Sequence, residues 1–128
     1  MATSNTILII DDEKDLRDAL GTALRNAGFA VLEALDGPQG LELAELEKPD
    51  LILLDIMMPN MSGHQVLREI RMKPWGMRMK VILLTNSDDP GNISQGAELK
   101  SNDYIIKSQT SLEDIIKKVK QHLVGYHD

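Results

Sequence analysis

Short apolar runs alternate with stretches of helical period along the chain. Ile7-Leu8-Ile9-Ile10, Leu51-Ile52-Leu53-Leu54, Val81-Ile82-Leu83-Leu84 and Tyr104-Ile105-Ile106 read as strands, and Ala30-Val31-Leu32 as a weaker one. After the first run, Leu16, Ala19, Leu20, Ala23, Leu24 and Ala27 recur at i, i+3, i+4 spacing, the mark of an amphipathic helix. Gly28 stands where a C-cap is expected. Asp36-Gly37-Pro38 fits a turn with Pro in a first helical turn, Leu41, Leu43, Ala44 and Leu46 mark a second helix, and Lys48-Pro49-Asp50 stops it. Val66, Leu67 and Ile70 mark a short third helix. Asp88-Asp89-Pro90 begins a fourth, through about Leu99, although Gly91-Asn92-Ile93-Ser94-Gln95-Gly96 has low helix propensity. Thr110 or Ser111 caps the last helix, with its stripe at Leu112, Ile115, Ile116, Val119 and Leu123.

The pattern is (βα)5. Central strands apolar on both faces must be covered on both faces, which predicts an α/β, doubly wound parallel sheet. A chain of 128 residues fits one domain over 1–128, with 1–5 as a flexible N-terminus and 125–128 as a C-terminal tail. The apolar runs are far short of a membrane span, and Met1-Ala2-Thr3-Ser4-Asn5 lacks the features of a signal peptide. No Cys is present, which removes disulfides and thiolate metal sites, and a cytoplasmic location is expected. A net charge of −6 argues against direct nucleic-acid binding.

Each strong run ends on a residue with chemistry. Asp11 and Asp12 follow the first, Asp55 closes the third, Thr85 the fourth and Lys107 the fifth. In an open parallel sheet the ligand crevice lies beyond the carboxyl ends of the strands, so these side chains are expected to meet there. An acid pair after a strand is most often just a solvated loop or a helix N-terminus. Lone Thr and Lys residues at strand ends are equally ordinary. The joint occurrence changes the balance: clustered carboxylates repel, and a hard cation such as Mg²⁺ relieves the repulsion while keeping several waters. Mn²⁺ is an acceptable substitute. Asp55 is then either a third ligand or a nucleophile, since carboxylates form acyl phosphates in covalent phosphoryl transfer. Thr85 and Lys107 supply the hydroxyl and the charge that the transferring group needs.

These residues lie in Ile9-Ile10-Asp11-Asp12-Glu13, Asp55-Ile56-Met57-Met58-Pro59-Asn60-Met61-Ser62-Gly63, Leu84-Thr85 and Asp103-Tyr104-Ile105-Ile106-Lys107. Over nearly its whole length the chain resembles a response-regulator receiver domain of two-component signalling. The resemblance implies a flavodoxin-like sheet of order 2-1-3-4-5. It implies Asp55 as phosphoacceptor from a phosphohistidine on a histidine kinase or histidine phosphotransfer protein. It implies Asp12, Asp55 and the Met57 backbone carbonyl as Mg²⁺ ligands, with Asp11 holding the metal through water. Lys107 and Thr85 would contact the phosphoryl oxygens. Thr85 and the aromatic Tyr104 would move together, changing a surface on the fourth helix, fifth strand and fifth helix. A monomer or a weak phosphorylation-dependent dimer, acting on a downstream protein target without contacting membrane or nucleic acid, is the implied behaviour.

The sequence departs from that pattern in three places. Ser108 follows Lys107 where the family usually has a cis Pro; a non-prolyl cis bond costs about 3 kcal/mol, so a trans bond or a reshaped loop is expected. Asn86 follows Thr85 in place of a small residue, and Lys100-Ser101 replaces the usual Gly-Ala pair, which bears on the end of the fourth helix. Met57, Asn86 and Ser87 are expected to flank the phosphoryl group, with Met57 obstructing the attacking water.

Other classes fit less well. A haloacid-dehalogenase-type phosphatase needs a second Asp two residues after its nucleophile, where this chain has Met57. A flavin carrier of the same sheet order would place phosphate where Asp11-Asp12-Glu13 repels it, and no Gly-x-Gly-x-x-Gly follows the first strand. An interaction module that acts without phosphorylation is the remaining alternative. His64, His122 and His127 are expected to face solvent, Lys117, Lys118 and Lys120 to form a solvated face, Met72, Met77 and Met79 to pack in a loop, and Trp75 to pack locally in a Pro-Trp-Gly turn.

Overall fold

The structure is a computed structural model that describes residues 5–86 and 90–123, with the side chain of Pro90 left aside. The strands are β1 (Thr6–Ile10), β2 (Ala30–Ala34), β3 (Leu51–Asp55), β4 (Lys80–Thr85) and β5 (Asp103–Ile106). The helices are α1 (Lys14–Asn26), α2 (Gly37–Glu47), α3 (Gly63–Arg71), α4 (Pro90–Glu98) and α5 (Leu112–Gln121). All strand pairs are parallel, in the order β2-β1-β3-β4-β5, so the doubly wound flavodoxin-like fold is as expected.

Alternation along the strands divides the core. Ile7, Ile9, Leu51, Leu53, Ile82 and Leu84 face Leu20, Leu24, Ile115 and Val119 of α1 and α5. Leu8, Ile10, Ile52, Leu54, Val81 and Leu83 face Ala44, Val66, Leu67 and Ile70 of α2 and α3. Every residue of β3 is buried, whereas β2, at the sheet edge, is covered only in part. The weaker apolar signal of β2 thus reflects its place.

The helix ends follow the local chemistry. Gly28 takes a φ of 98°, a left-handed turn that lets the Phe29 N–H reach the Leu24 carbonyl and close α1. Asp36 caps α2 by accepting from the Gln39 N–H at 2.9 Å. Ser62 and Gln65 form a capping box at α3, and Ser111, of the two expected candidates, caps α5. Lys100 holds a φ of 62°, and the Ser101 N–H reaches back to the Gly96 carbonyl at 2.9 Å. Lys100-Ser101 therefore ends α4 with the same left-handed turn that a glycine would provide, but on a residue that pays the steric cost.

Several expectations for individual side chains are overturned. His64 is buried, with its Nε2 atom 3.1 Å from the Asn92 carbonyl oxygen. His122 is partly buried and its Nε2 lies 2.9 Å from Asp103. Lys118 bonds the same carboxylate at 3.2 Å, so it is not simply a solvated lysine. Burial favours neutral Asp103, but bonds from His122, the Tyr104 N–H and Lys118 outweigh it and hold its pKa below the usual value. Met72 and Met77 are exposed; only Met79 packs into the core. Trp75 does pack locally, in one 3₁₀ turn over Pro74–Gly76 against the α2–α3 side of the core. Ser87, Asp88, Asp89 and His127 lie outside the described residues.

Candidate functional site

The topology carries Asp11, Asp55, Thr85 and Lys107 to one edge because each follows or closes a neighbouring parallel strand. The β1–β3 register pairs Ile10 with Leu54, which sets Asp11 beside Asp55. Asp55 pairs with Leu84, and the Ile56 N–H donates to the Leu84 carbonyl at 3.0 Å, which brings Thr85 alongside. Asp11, Asp55 and Thr85 are buried, while Asp12 is exposed at the mouth.

Lys107 begins a 3₁₀ turn directly after β5 and sends its ammonium into the acids. Its Nζ lies 3.0 Å from Asp11 Oδ2, 3.2 Å from Asp55 Oδ1 and 3.2 Å from Glu13 Oε1. Burial pulls the Lys107 pKa down, but these carboxylates outweigh it and hold the pKa above the ordinary lysine value. Asp55 is pushed the other way: burial first, then the charge of Asp11, raise it to about 7 despite Lys107. Among the described residues the structure has no cis peptide bond, so Lys107–Ser108 is trans as expected.

Acidic oxygens of Asp11, Asp12 and Asp55 lie within 4.8 Å of one another. One of them, Asp11 Oδ2, is buried and has no well-directed hydrogen bond, its contact with Lys107 being an ion pair. A single ammonium cannot neutralise four neighbouring carboxylates, counting Glu13. The site therefore fits a hard divalent cation by its ligand type, its spacing and its unsatisfied oxygen.

The remaining expected residues fall around this cluster. The Met57 N–H donates to Asp55 Oδ1 at 3.3 Å, and its side chain is exposed. Asn86 is exposed beyond Thr85, and Tyr104 is 40% exposed on β5. Three contributors were not anticipated. Glu13 shares Lys107, and its N–H donates to Asp11 Oδ1 at 2.9 Å. Arg17, buried in α1, donates to the Asp11 carbonyl at 2.8 Å and lies 3.4 Å from Glu33 on β2. Gly63 donates its N–H to the Ile56 carbonyl at 2.9 Å and packs against the backbone of Asp55. The signal for Arg17 was its place beside the apolar stripe of α1.

A parallel sheet of this order with an acid cluster, a buried lysine and a threonine at its strand ends defines a receiver-type domain. The chain belongs to the response regulator receiver domain family, whose description matches residues 7–120. It is similar to the chemotaxis protein CheY4 of Vibrio cholerae, with 25% identity, a TM-score of 0.90, and coverage of 94% of this chain and 100% of that one. It is similar to the signal receiver domain of a signal transduction histidine kinase from Syntrophus aciditrophicus, with 28% identity, a TM-score of 0.86, and coverage of 98% and 96%. A third similar structure is the receiver domain of the sensor histidine kinase PA1611 from Pseudomonas aeruginosa, which holds a magnesium ion in its active-site cleft. It has 27% identity, a TM-score of 0.84, and coverage of 93% and 97%.

Proposed function

We propose that the chain accepts a phosphoryl group on Asp55 from a phosphohistidine of a histidine kinase or phosphotransfer protein, and passes the signal on by docking. The observation that carries this reading is Lys107, whose ammonium spans Asp11 and Asp55 inside the buried acid cluster. In the transfer, an Asp55 oxygen attacks phosphorus and the P–N bond of the phosphohistidine breaks. The bonding pair stays with the imidazole nitrogen, and an acyl phosphate forms on Asp55. Lys107, paired with the Asp55 carboxylate, would follow the negative charge to the incoming oxygens, and Thr85 would offer a hydroxyl from the next strand.

Mg²⁺, or Mn²⁺ in its place, held by Asp11, Asp12, Asp55 and the Met57 carbonyl, would neutralise phosphoryl charge and favour the ionised form of Asp55. That second effect matters because a carboxyl raised to about 7 is a poor nucleophile while protonated. The chain is a signalling protein that modifies itself rather than a turnover enzyme. Tyr104 stands outward here, and its exposure leaves it room to turn inward when Thr85 shifts, changing the α4–β5–α5 face. No described helix is long and apolar enough to cross a membrane, and a cytoplasmic monomer or weak phosphorylation-dependent dimer is the arrangement we favour.

Incubation with Mg²⁺ and phosphoramidate or acetyl phosphate, read by intact mass and peptide mapping, tests the reading. One phosphoryl group on Asp55, absent in Asp55→Ala, supports it. Sustained phosphate release over many turnovers would instead point to a phosphatase, and no label to a phosphorylation-independent interaction module. Met57 adds a second expectation: its exposed thioether chain shields the acyl phosphate from water. Met57→Asn should lose phosphate several-fold faster, on the order of 1 kcal/mol in barrier. An unchanged rate of phosphate loss would remove this role.

A further inference from the structure

Helix α4 is poorly equipped to hold its own place. Gly91, Asn92, Ser94 and Gly96 lower its propensity, and among its described side chains Ile93 is the one large apolar group, half-buried. Its described attachments to α3 are polar, and they occur in register. His64, in the first turn of α3, meets the Asn92 carbonyl in the first turn of α4 at 3.1 Å. Arg71, two turns on at the end of α3, donates its Nε–H to the Leu99 carbonyl at 3.2 Å and its Nη2 to the Lys100 carbonyl at 2.7 Å. Both His64–Asn92 and Arg71–Leu99 span 28 positions, as expected for two parallel helices held side by side.

The two attachments are unequal. The Arg71 guanidinium also binds the Gly76 carbonyl at 2.7 Å and the Met79 carbonyl at 2.8 Å, so the C-terminal end of α4 is tied into a fan of charge-assisted bonds. Among the described residues, the N-terminal end is joined to α3 by one imidazole bond. A carbonyl only accepts, so His64 Nε2 carries the proton and donates. His64 directly follows Gly63, which is fixed to Ile56 and packed on the Asp55 backbone.

We propose that α4 is hinged at Arg71 and latched at His64, making His64 a positioning residue that links the Asp55 loop to the output helix. The latch stands on the geometry of the unmodified protein. Its trigger, the opening of the bond when Asp55 is modified, rests on the proposed function. A single hydrogen bond is the right size for a two-state element: its loss changes a local opening equilibrium by about tenfold without unfolding the domain.

Amide hydrogen exchange across the chain tests this, in wild type, His64→Leu and His64→Gln, each with and without Mg²⁺ and beryllofluoride. In the free protein, His64→Leu should speed exchange over residues 94–98 about tenfold and leave α1 and α5 unchanged. His64→Gln, which keeps a donor, should restore most of the protection. Beryllofluoride should speed the same amides in wild type and add little in His64→Leu. Unchanged α4 exchange in His64→Leu, an equal rise in α1 and α5, or, in protein whose Asp55 takes a phosphoryl label, no response of wild-type α4 to beryllofluoride would each overturn the proposal. Should His64→Leu fail to fold, the ring proton decides: a slowly exchanging His64 Nε2–H signal in wild-type NMR supports the latch, and a solvent-exchanged one overturns it. Phosphoramidate labelling of wild type is scored separately. If Asp55 takes no label, the functional reading falls and the latch is still judged in the free protein.

Discussion

Asp55→Asn is expected to be more stable than the wild type at about pH 8 without divalent cations, by about 4 kcal/mol. The unfolded chain releases the Asp55 proton near the ordinary value of 3.8, whereas the folded protein keeps it up to about 7. Between those values the folded state binds the extra proton, so this group's stabilising contribution is complete below about pH 4 and is lost as pH rises through 7. Above that, an ionised Asp55 lies buried beside Asp11, offset by Lys107 and the Met57 N–H. Asparagine keeps the shape and drops the charge. Urea unfolding in a chelator at about pH 5 and about pH 8 should therefore show a falling wild-type stability and a nearly flat Asp55→Asn. Magnesium should restore the wild type at the higher pH, because a ligand of the folded state adds stability by mass action. Parallel pH slopes for the two proteins would show that the burial of Asp55 does not strain the fold.

Gly63→Ala is expected to damage both stability and phosphoacceptance, although residue 63 touches no substrate. A Cβ there would overlap the Asp55 carbonyl oxygen and fall 2.8 Å from Ile56 Cα and 2.9 Å from Asp55 C. These are backbone atoms, which cannot rotate aside as a side chain would. Either α3 must lift or the end of β3 must bend. The first loses packing of Val66, Leu67 and Ile70; the second tilts the Asp55 carboxylate away from Lys107. Overpacking of this kind costs about 3 kcal/mol. A displacement near 1 Å at the nucleophile lowers the labelling rate on the order of 100-fold. The denaturation midpoint and the phosphoramidate labelling rate of folded protein, measured side by side, check the two halves. An alanine variant that matched wild type in both would mean that the loop yields without moving Asp55.

The strand-end residues were legible because they stand where uninterrupted apolar runs stop, and a parallel sheet delivers every such point to one edge. Asp11, Asp55 and Lys107 duly meet. His64 was misread although its position was informative: it lies three residues before Leu67 on the buried stripe of α3. Its place at the start of a helix suggested solvent, but the periodicity pointed inward. His122 and Lys118 could not be placed because their partner, Asp103, is distant in sequence and comes close only through the packing of α5 on β5. The four carbonyls that Arg71 gathers were equally hidden, since backbone acceptors leave no mark in the sequence. The α4 ending at Lys100 was seen as a departure, and the structure resolves it into a left-handed lysine.

The burial of β3 on both faces has a kinetic meaning. Local opening of a protein begins at weakly packed edges and reaches fully buried central strands last. An acyl phosphate formed on Asp55 would ride on the strand least exposed to such opening, while α4 and β5 lie toward the sheet's far edge. Its hydrolysis would then be timed by the side chains at the mouth of the site, Met57 among them, and not by chance breathing of the domain. Under the proposed function, the lifetime of the acyl phosphate would thus be set at the centre of the sheet, away from its β5 edge.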